Sequence, residues 1–519
     1  MAWTVFVVIV SLLSLHLWRK VIYHRTKEYS SFPQLPPSPV WGHLPIVISF
    51  IRKNTQNYHF DELFQTIRDR LDNPPLYLMD ARPFSYPTCI ICDHEVAEQL
   101  SRSTTLFQYS VPKSPTMVGF FADLMGPTSI ALAENERWKG LRKRFSSGFS
   151  HMYLTSLLPS ILDKVQLFLA NLDHYATTRE EFSMDSLASQ LTFDIIGAVA
   201  LDTNMDAQLG EKKQSQIFRL FSELLSTYRV SNGIWALLPS YQKRRLACHL
   251  DMHIKDIIKK TFEEQQADPQ KQSRSVISLS LAGQNVLTSE LLTETCDQLK
   301  TFLFAGHDTT SALLQWAFYE MSRNPRVRDL VRLELDAIFG PESSPSAIRD
   351  QILKCGEDVL QKMTYTSAMI KETLRLYPLG STARYAPPDS GLNGRLPNGQ
   401  EMCLDGVVLY SCHRIIHRNK TVYGDNANEF YPERWLGSSE TNIPISPKLA
   451  NIETLVILAC VARRYDWEKV GLGAIERDGP DEPTSKVNGQ YEVESEVYNT
   501  LEISSKPVDG MRMRVKLAV

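Results

Sequence analysis

Apolar side chains recur at helical spacing over much of this chain, and the longest such pattern runs from about Ser289 to Arg323. Within it Leu299, Phe302, Leu303, Gly306, Leu313 and Leu314 form one stripe, so one face of the predicted helix turns to the interior. The stretch from Phe302 to Ser311 then places polar groups where a core should be, with His307, Asp308, Thr309 and Thr310 following Ala305 and Gly306. Gly306 opens a gap in the stripe, and Thr309 lies one turn beyond it. Glycine costs about 1 kcal/mol relative to alanine in a helix interior. Adjacent hydroxyls also bond back to carbonyls and bend the helix. The pattern predicts a local kink with a small polar notch, able to hold a small molecule to which Asp308 and Thr309 relay protons. A kinked core helix with satisfied hydroxyls fits the same residues.

On either side of this helix the pattern changes character. Leu76, Tyr77 and Leu78, then Thr88 to Ile91, predict a small sheet, after which residues 94–101 turn helical. Residues 104–128 have little periodicity but many large side chains, among them Phe107, Tyr109, Met117, Phe120, Phe121 and Met125. They read as a loop lining an apolar cavity or as a packed surface loop. Residues 134–149 predict a helix with Trp138 and Arg142 four apart and Lys139, Lys143 and Arg144 around them, which is either an anion-binding face or a solvated basic one. Helical patterns continue over 154–176, 184–201 and 215–228. The apolar connector 232–239, containing Trp235, either dips into a membrane surface or packs. Asn324-Pro325 stops the central helix, and a further helix over 363–376 puts Glu372 and Arg375 on one face. Tyr377-Pro378 ends it, residues 382–385 begin a strand, and Glu429 to Trp435 follow farther on.

The amino terminus adds a different signal. Ala2 to Trp18 is a mostly apolar run followed by Arg19, Lys20, His24, Arg25 and Lys27, which reads as a membrane anchor with the bulk of the chain in the cytosol. A cleaved leader would need a basic start and a small-residue cleavage site, and neither is evident. Pro33, Pro36, Pro37 and Pro39 make a stiff connector. The expected division is an anchor over 1–20, a basic, proline-rich linker over 21–45 and a single domain over 46–519.

Composition narrows the function. Of the 519 residues 43% are hydrophobic and 10% aromatic, enough for a core built around something bulky. A net charge of −3 offers no footing for nucleic acid. Eight cysteines without a framework point to a reducing compartment. Cys89 and Cys92 sit at a spacing that sends two thiols to opposite faces of a strand.

Taken in order, the anchor and proline hinge, Trp138-x-x-x-Arg142, Ala305-Gly306-His307-Asp308-Thr309-Thr310, Glu372-x-x-Arg375 and Phe430-Tyr431-Pro432-Glu433-Arg434-Trp435 resemble the cytochrome P-450 superfamily of haem-thiolate monooxygenases in its membrane-anchored eukaryotic form. The match spans nearly the whole chain. It implies a mainly α fold with small β-sheets, a long central helix and a triangular helical body behind a transmembrane helix. It further implies haem b, dioxygen, electrons from an NADPH-cytochrome reductase type flavoprotein, an apolar small-molecule substrate, and a single-pass place in the endoplasmic reticulum membrane. By the resemblance Asp308 and Thr309 are the acid and alcohol that deliver protons to dioxygen, with Ala305 and Gly306 widening the helix beside the haem. Trp138, Arg142 and Arg384 are similar to the haem-propionate donors. Glu372, Arg375 and Arg434 resemble a buried charge triad whose disruption costs about 3–5 kcal/mol. Lys139 and Lys143 would help dock the reductase, unless they are simply solvated. The tail from Tyr491 to Val519 resembles filamentous-fungal members acting in secondary metabolism.

The chain departs from that pattern at one place. The family's iron ligand is a cysteine in a loop of pattern F-x-x-G-x-R-x-C-x-G, and here Asn442-Ile443-Pro444-Ile445-Ser446-Pro447-Lys448-Leu449-Ala450 stands instead. Counting back from Ala450, the ligand position holds Pro444, which cannot bind iron. Cys460 lies too far along, in an apolar run, and reads as a small buried hydrophobe. The resembling pieces resume in register on both sides of Ser446, the pattern of a recent loss or a mis-joined coding segment. The thiolate promotes O–O cleavage on haem iron, so the chain as written is expected to be inactive and to bind haem weakly or not at all. The alternatives are a haem-free, membrane-anchored protein that binds a ligand or partner enzyme, and a product that misfolds and is degraded.

Overall fold

In the computed structural model the central pattern becomes a 35-residue helix, Ser289–Arg323, whose neighbours fix the rest of the larger of two compact units. The structure describes residues 2–53, 58–228, 241–268, 275–342, 344–437, 449–478, 483–486, 488–500 and 502–518. One unit comprises Met1–Phe120 with Gly380–Ala427, the other Phe121–Leu379 with Asn428–Val519. The connector 232–239 and the departing segment 442–448 lie outside the described residues.

The first unit holds the anchor helix α1 (Ala2–Thr26), the short helix α2 (Leu44–Lys53) and a four-stranded sheet. Its strands are β1 (Leu76–Met79), β2 (Thr88–Ile91), β3 (Thr382–Tyr385) and β4 (Val408–Ser411), in the order β1-β2-β4-β3. β1 pairs antiparallel with β2, and β2 runs parallel to β4 with Thr88 opposite Val408. The two-residue period sorts the side chains. Leu76, Leu78, Cys89, Ile91 and Leu409 enter one apolar cluster; Tyr77, Met79, Ile90, Cys92 and Cys412 enter another. Cys89 and Cys92 therefore face opposite sides, as their spacing requires. α1 is exposed wherever its side chains are described up to Trp18, and it is the one described helix long and apolar enough to cross a membrane.

The second unit is mainly helical. Its elements include α3 (Asn135–Phe145), α4 (Met184–Leu201), α5 (Ser289–Arg323), α6 (Thr364–Leu376) and α7 (Leu449–Val461), with strands β5 (Tyr465–Lys469) and β6 (Arg512–Leu517) paired antiparallel. α5 starts where the Thr288 hydroxyl accepts from the Leu291 N–H and stops before Pro325. From Thr310 to Arg323 every side chain is buried. α4 crosses it closely, and the Thr192 hydroxyl donates to the His307 carbonyl at 3.0 Å. α6 begins under the Glu334 carboxylate, which accepts from the Tyr365 and Thr366 N–H groups at 2.6 and 2.9 Å.

Two expectations change. The stretch 104–128 is not all loop, because Pro115–Met125 forms a helix started by its proline. The gap at Gly306 is not an open notch: a Cβ there would lie 2.6 Å from Ile196 Cγ1, so α4 fills it and α5 runs on without a break.

Candidate functional site

Helical geometry divides the polar stretch of α5 into two faces. Ala305 is exposed and Thr309 half-buried, four residues apart on one side, while Leu303, Phe304, His307 and Asp308 are buried. The Thr309 hydroxyl donates to the Ala305 carbonyl at 2.6 Å, so it is satisfied within the helix. Gly306 sits at the α4 crossing. The result is a face of small side chains in the middle of an otherwise buried helix.

Asp308 looks elsewhere. Its Oδ1 lies 2.9 Å from Lys506 Nζ, which also reaches Asp185 Oδ1 at 2.9 Å. Burial works against the Asp308 charge, but the Lys506 ammonium, His307 and a hydrogen bond from Ser504 outweigh it and hold the carboxyl below its ordinary range. These groups border a cavity of about 450 Å³ whose polar side is formed by Asp185, Ser186, Ser189, Gln190, His307 and Lys506. His307 Nδ1 donates to the Leu303 carbonyl at 2.7 Å, and the ring stands edge-on to Phe193 and Phe221. Burial pushes its imidazole down, against the pull of the Asp308 carboxylate. Nothing in the sequence pattern pointed to Lys506, almost 200 residues beyond Asp308 in a tail without helical or strand period.

Glu372, Arg375 and Arg434 come together. Glu372 is fully buried. Arg375 donates to both its oxygens at 2.8 Å, and Arg434 Nε donates to Oε1 at 3.0 Å. The Tyr431 N–H and the Trp435 indole N–H complete the shell at 2.9 and 3.0 Å, two donors the pattern had not singled out. Arg375 also caps the Glu429 carbonyl at 3.0 Å. Glu433, beside Arg434 in the motif, instead pairs with Arg326 and accepts from Tyr365 at 2.9 Å.

On α3 the Arg142 guanidinium lies 5.4 Å from the Trp138 ring and has no ion pair among the described residues. Arg144, by contrast, is committed to Glu294 at 2.7 Å. Lys139 and Lys143 are exposed. Arg384 belongs to the other compact unit, on β3, where it donates to the Val111 carbonyl at 3.3 Å.

A further buried carboxyl emerges at Glu453 on α7. It accepts from the Thr310 hydroxyl at 2.7 Å, and its second oxygen has no hydrogen-bond partner among the described residues. Burial pushes it up to about 8. Two turns farther on, Cys460 is likewise buried, its thiol pushed up to about 12. No cluster of three metal-ligating side chains exists among the described residues.

Comparison with known proteins gives a consistent match. The family model described as Cytochrome P450 matches residues 33–472. The chain is similar to the cytochrome P450 monooxygenase acrF of Aspergillus aculeatus, 26% identical with 85% of this chain and 94% of that protein covered. It is also similar to the cytochrome P450 monooxygenase polC of Polytolypa hystricis, 24% identical over 96% of this chain and 92% of that protein. Among solved structures, the crystal structure of a cytochrome P450 named CYP102L1 superposes with a TM-score of 0.66 at 17% identity, covering 88% of this chain and 99% of that one.

Proposed function

The chain belongs to the cytochrome P450 family, and from that premise we propose that its body is built to oxidise an apolar small molecule at a haem, but that the chain in this form lacks the thiolate such chemistry needs. When bound, haem held by a cysteine thiolate would supply dioxygen activation. Part of the donor set fits that group. Ala305 and Thr309 leave a face of α5 without bulk. Arg142, exposed beside Trp138, suits a propionate, and Arg384 is the third donor in this reading.

The decisive part does not fit. The sequence has no cysteine between Cys412 and Cys460, and Cys460 is a buried, neutral thiol within α7. That absence carries the proposal: the residues present do not make a haem-thiolate centre, and no oxidative step is assigned to this chain. Asp308 and Thr309 keep the acid and alcohol places of the family relay. As found, Asp308 is paired with Lys506 and Thr309 is bonded to Ala305, so both side chains must turn before they can act together.

The same reading places the protein in the endoplasmic reticulum membrane through a single span, with its body cytosolic. Electrons would come from an NADPH-cytochrome reductase type flavoprotein docking near Lys139 and Lys143. Its place would be in fungal secondary metabolism. A second reading is favoured by the fully satisfied shell around Glu372: a haem-free, membrane-anchored protein that keeps the fold and binds a ligand or partner enzyme.

The test is expression of the full chain with haem supplied, followed by haem stoichiometry and the carbon monoxide spectrum of the reduced protein. Substoichiometric haem without a thiolate-type band is expected, and a fully loaded protein with that band overturns the proposal. Sequencing the transcript across the codons for Ser446 and Pro447 separates a true loss from a mis-joined segment; a cysteine-containing loop there restores the monooxygenase reading.

A further inference from the structure

The proline-rich connector runs along β1, the edge strand of the first sheet, where the Leu78 N–H donates to the Pro33 carbonyl at 2.9 Å. Its far end is fastened by one imidazole. His43 is fully buried, and both of its ring nitrogens are committed to backbone groups. Nε2 lies 2.7 Å from the Leu35 carbonyl, and the Asp80 N–H, just past β1, donates to Nδ1 at 2.8 Å. A carbonyl can only accept and an amide N–H can only donate, so Nε2 carries the proton and Nδ1 must be bare. The ring is therefore held as one neutral tautomer. The His43 N–H adds a bond to the Asp80 carbonyl at 2.8 Å. Gly42 permits this approach: its φ is +55°, and a Cβ there would stand 2.4 Å from the Asp80 carbonyl oxygen.

A second proton on this ring has no acceptor. At Nδ1 it would meet the Asp80 N–H, leaving two buried donors facing each other. The surrounding charges do not offset this. The Asp80 carboxylate favours an imidazolium, but it already holds Arg25 of α1 at 2.6 Å and accepts from Arg82 at 2.9 and 3.0 Å. Arg82 is shared with Glu28 at 2.8 Å and lies over the Tyr29 ring. Arg25 opposes a further positive charge, and the basic residues of α2, Arg52 and Lys53, sit at its far end. Residues 33–42 contain no titratable side chain. Burial outweighs Asp80 and the Leu35 bond, and it holds the imidazole below its ordinary value.

We propose that His43 is a proton-operated latch: neutral, it locks the connector onto the edge of the first sheet, and protonated, it releases residues 35–43. Because the connector joins α1 to the sheet, the charge of one ring sets how firmly the two are tied. The direction follows from the lowered value. The latch is closed above the ordinary histidine range and opens as pH falls below it.

The experiment is hydrogen exchange of the full chain in nanodiscs, read by mass spectrometry at residues 38–43 and Asp80 and corrected for the intrinsic rate of each amide. From about pH 7.5 to about pH 5.5 opening should rise about tenfold, the response of one proton taken up by an open state with an ordinary histidine value. The amides of β2, inside the sheet, should stay protected. His43→Gln keeps a donor for the Leu35 carbonyl and cannot take up a proton, so its profile should be flat. A pH-independent wild type overturns the latch. An equal pH response in His43→Gln also overturns it, because the proton then belongs to another group such as Asp80 or Glu28. If His43→Gln folds poorly, the nitrogen-15 shifts of His43 in the wild type decide. A bare Nδ1 and a protonated Nε2 at neutral pH support the latch, and an imidazolium or the opposite tautomer overturns it.

Discussion

The Lys506 ammonium bridges Asp308 of α5 and Asp185 of α4, 2.9 Å from each, and so ties the tail to the two most closely crossed helices of the second unit. Lys506 and Asp308 sit where water is scarce, Asp185 is half-buried, and the ammonium offsets both carboxylates. Lys506→Met should leave the buried Asp308 carboxylate uncompensated, with the half-buried Asp185 beside it, and cost about 3–5 kcal/mol. Lys506→Met with Asp308→Asn should recover part of that loss, because one of the stranded charges is gone. Asp308 is held below its ordinary range, so its contribution is present above the normal aspartate titration and is lost as pH falls through the lowered value. Urea midpoints of the wild type, Lys506→Met, the double variant and Asp308→Asn alone, at neutral and acidic pH, check the order. Equal acid sensitivity in Asp308→Asn and the wild type would sink it.

Glu372 makes a comparable prediction with a different partner set. Five donors converge on one carboxylate from Arg375, Arg434, the Tyr431 N–H and the Trp435 indole, which fastens α6 to the Phe430–Trp435 segment. Glu372→Ala strands two guanidinium groups and should cost about 3–5 kcal/mol. Glu372→Gln keeps the shape and one acceptor, and should cost less. Denaturant midpoints measure both, and a Glu372→Ala variant as stable as the wild type contradicts the network's role.

Glu453 runs the other way in pH. Burial lifts its carboxyl to about 8 from an ordinary value of 4.5, so the folded state holds a proton that the unfolded state releases. Its contribution is complete below the ordinary value and is lost as pH rises toward about 8. Glu453→Gln cannot ionise, so its thermal midpoint should fall less than that of the wild type between mildly acidic and mildly alkaline buffer. Parallel curves would show that the carboxyl does not titrate in this window.

What could be read from the sequence follows the range of the interaction. The central helix was legible because its stripe and its Asn324-Pro325 stop are local, and the first sheet because Tyr77, Leu78, Ile90 and Ile91 alternate between two clusters. Glu372 and Arg375 were legible as an i,i+3 pair; Arg434 joined them by family resemblance. Trp435 could have been found, since an indole beside a buried ion pair needs an acceptor. Lys506 and Glu453 could not, because each meets α5 only through the tertiary fold. The helix over Pro115–Met125 was missed because Gly119 and the aromatic residues around it blur the helical stripe.

Gly306 was read as a gap, and the structure explains why that was half right. The missing side chain is needed, but the space belongs to Ile196, whose Cγ1 would stand 2.6 Å from a Cβ. Helix propensity alone favours Gly306→Ala by about 1 kcal/mol, whereas overpacking a close helix crossing costs about 1–3 kcal/mol. The steric term wins because Ile196 is β-branched and hemmed in at the crossing, where Thr192 bonds the next carbonyl of α5. Gly306→Ala should therefore destabilise the protein. Ile196→Ala in the same chain should make the glycine substitution neutral or favourable, by emptying the volume the new methyl group takes. A double-mutant cycle on denaturant midpoints measures the coupling. Additive effects of the two substitutions would mean that α4 and α5 relax apart at no cost, and that the close approach at Gly306 is not what holds them together.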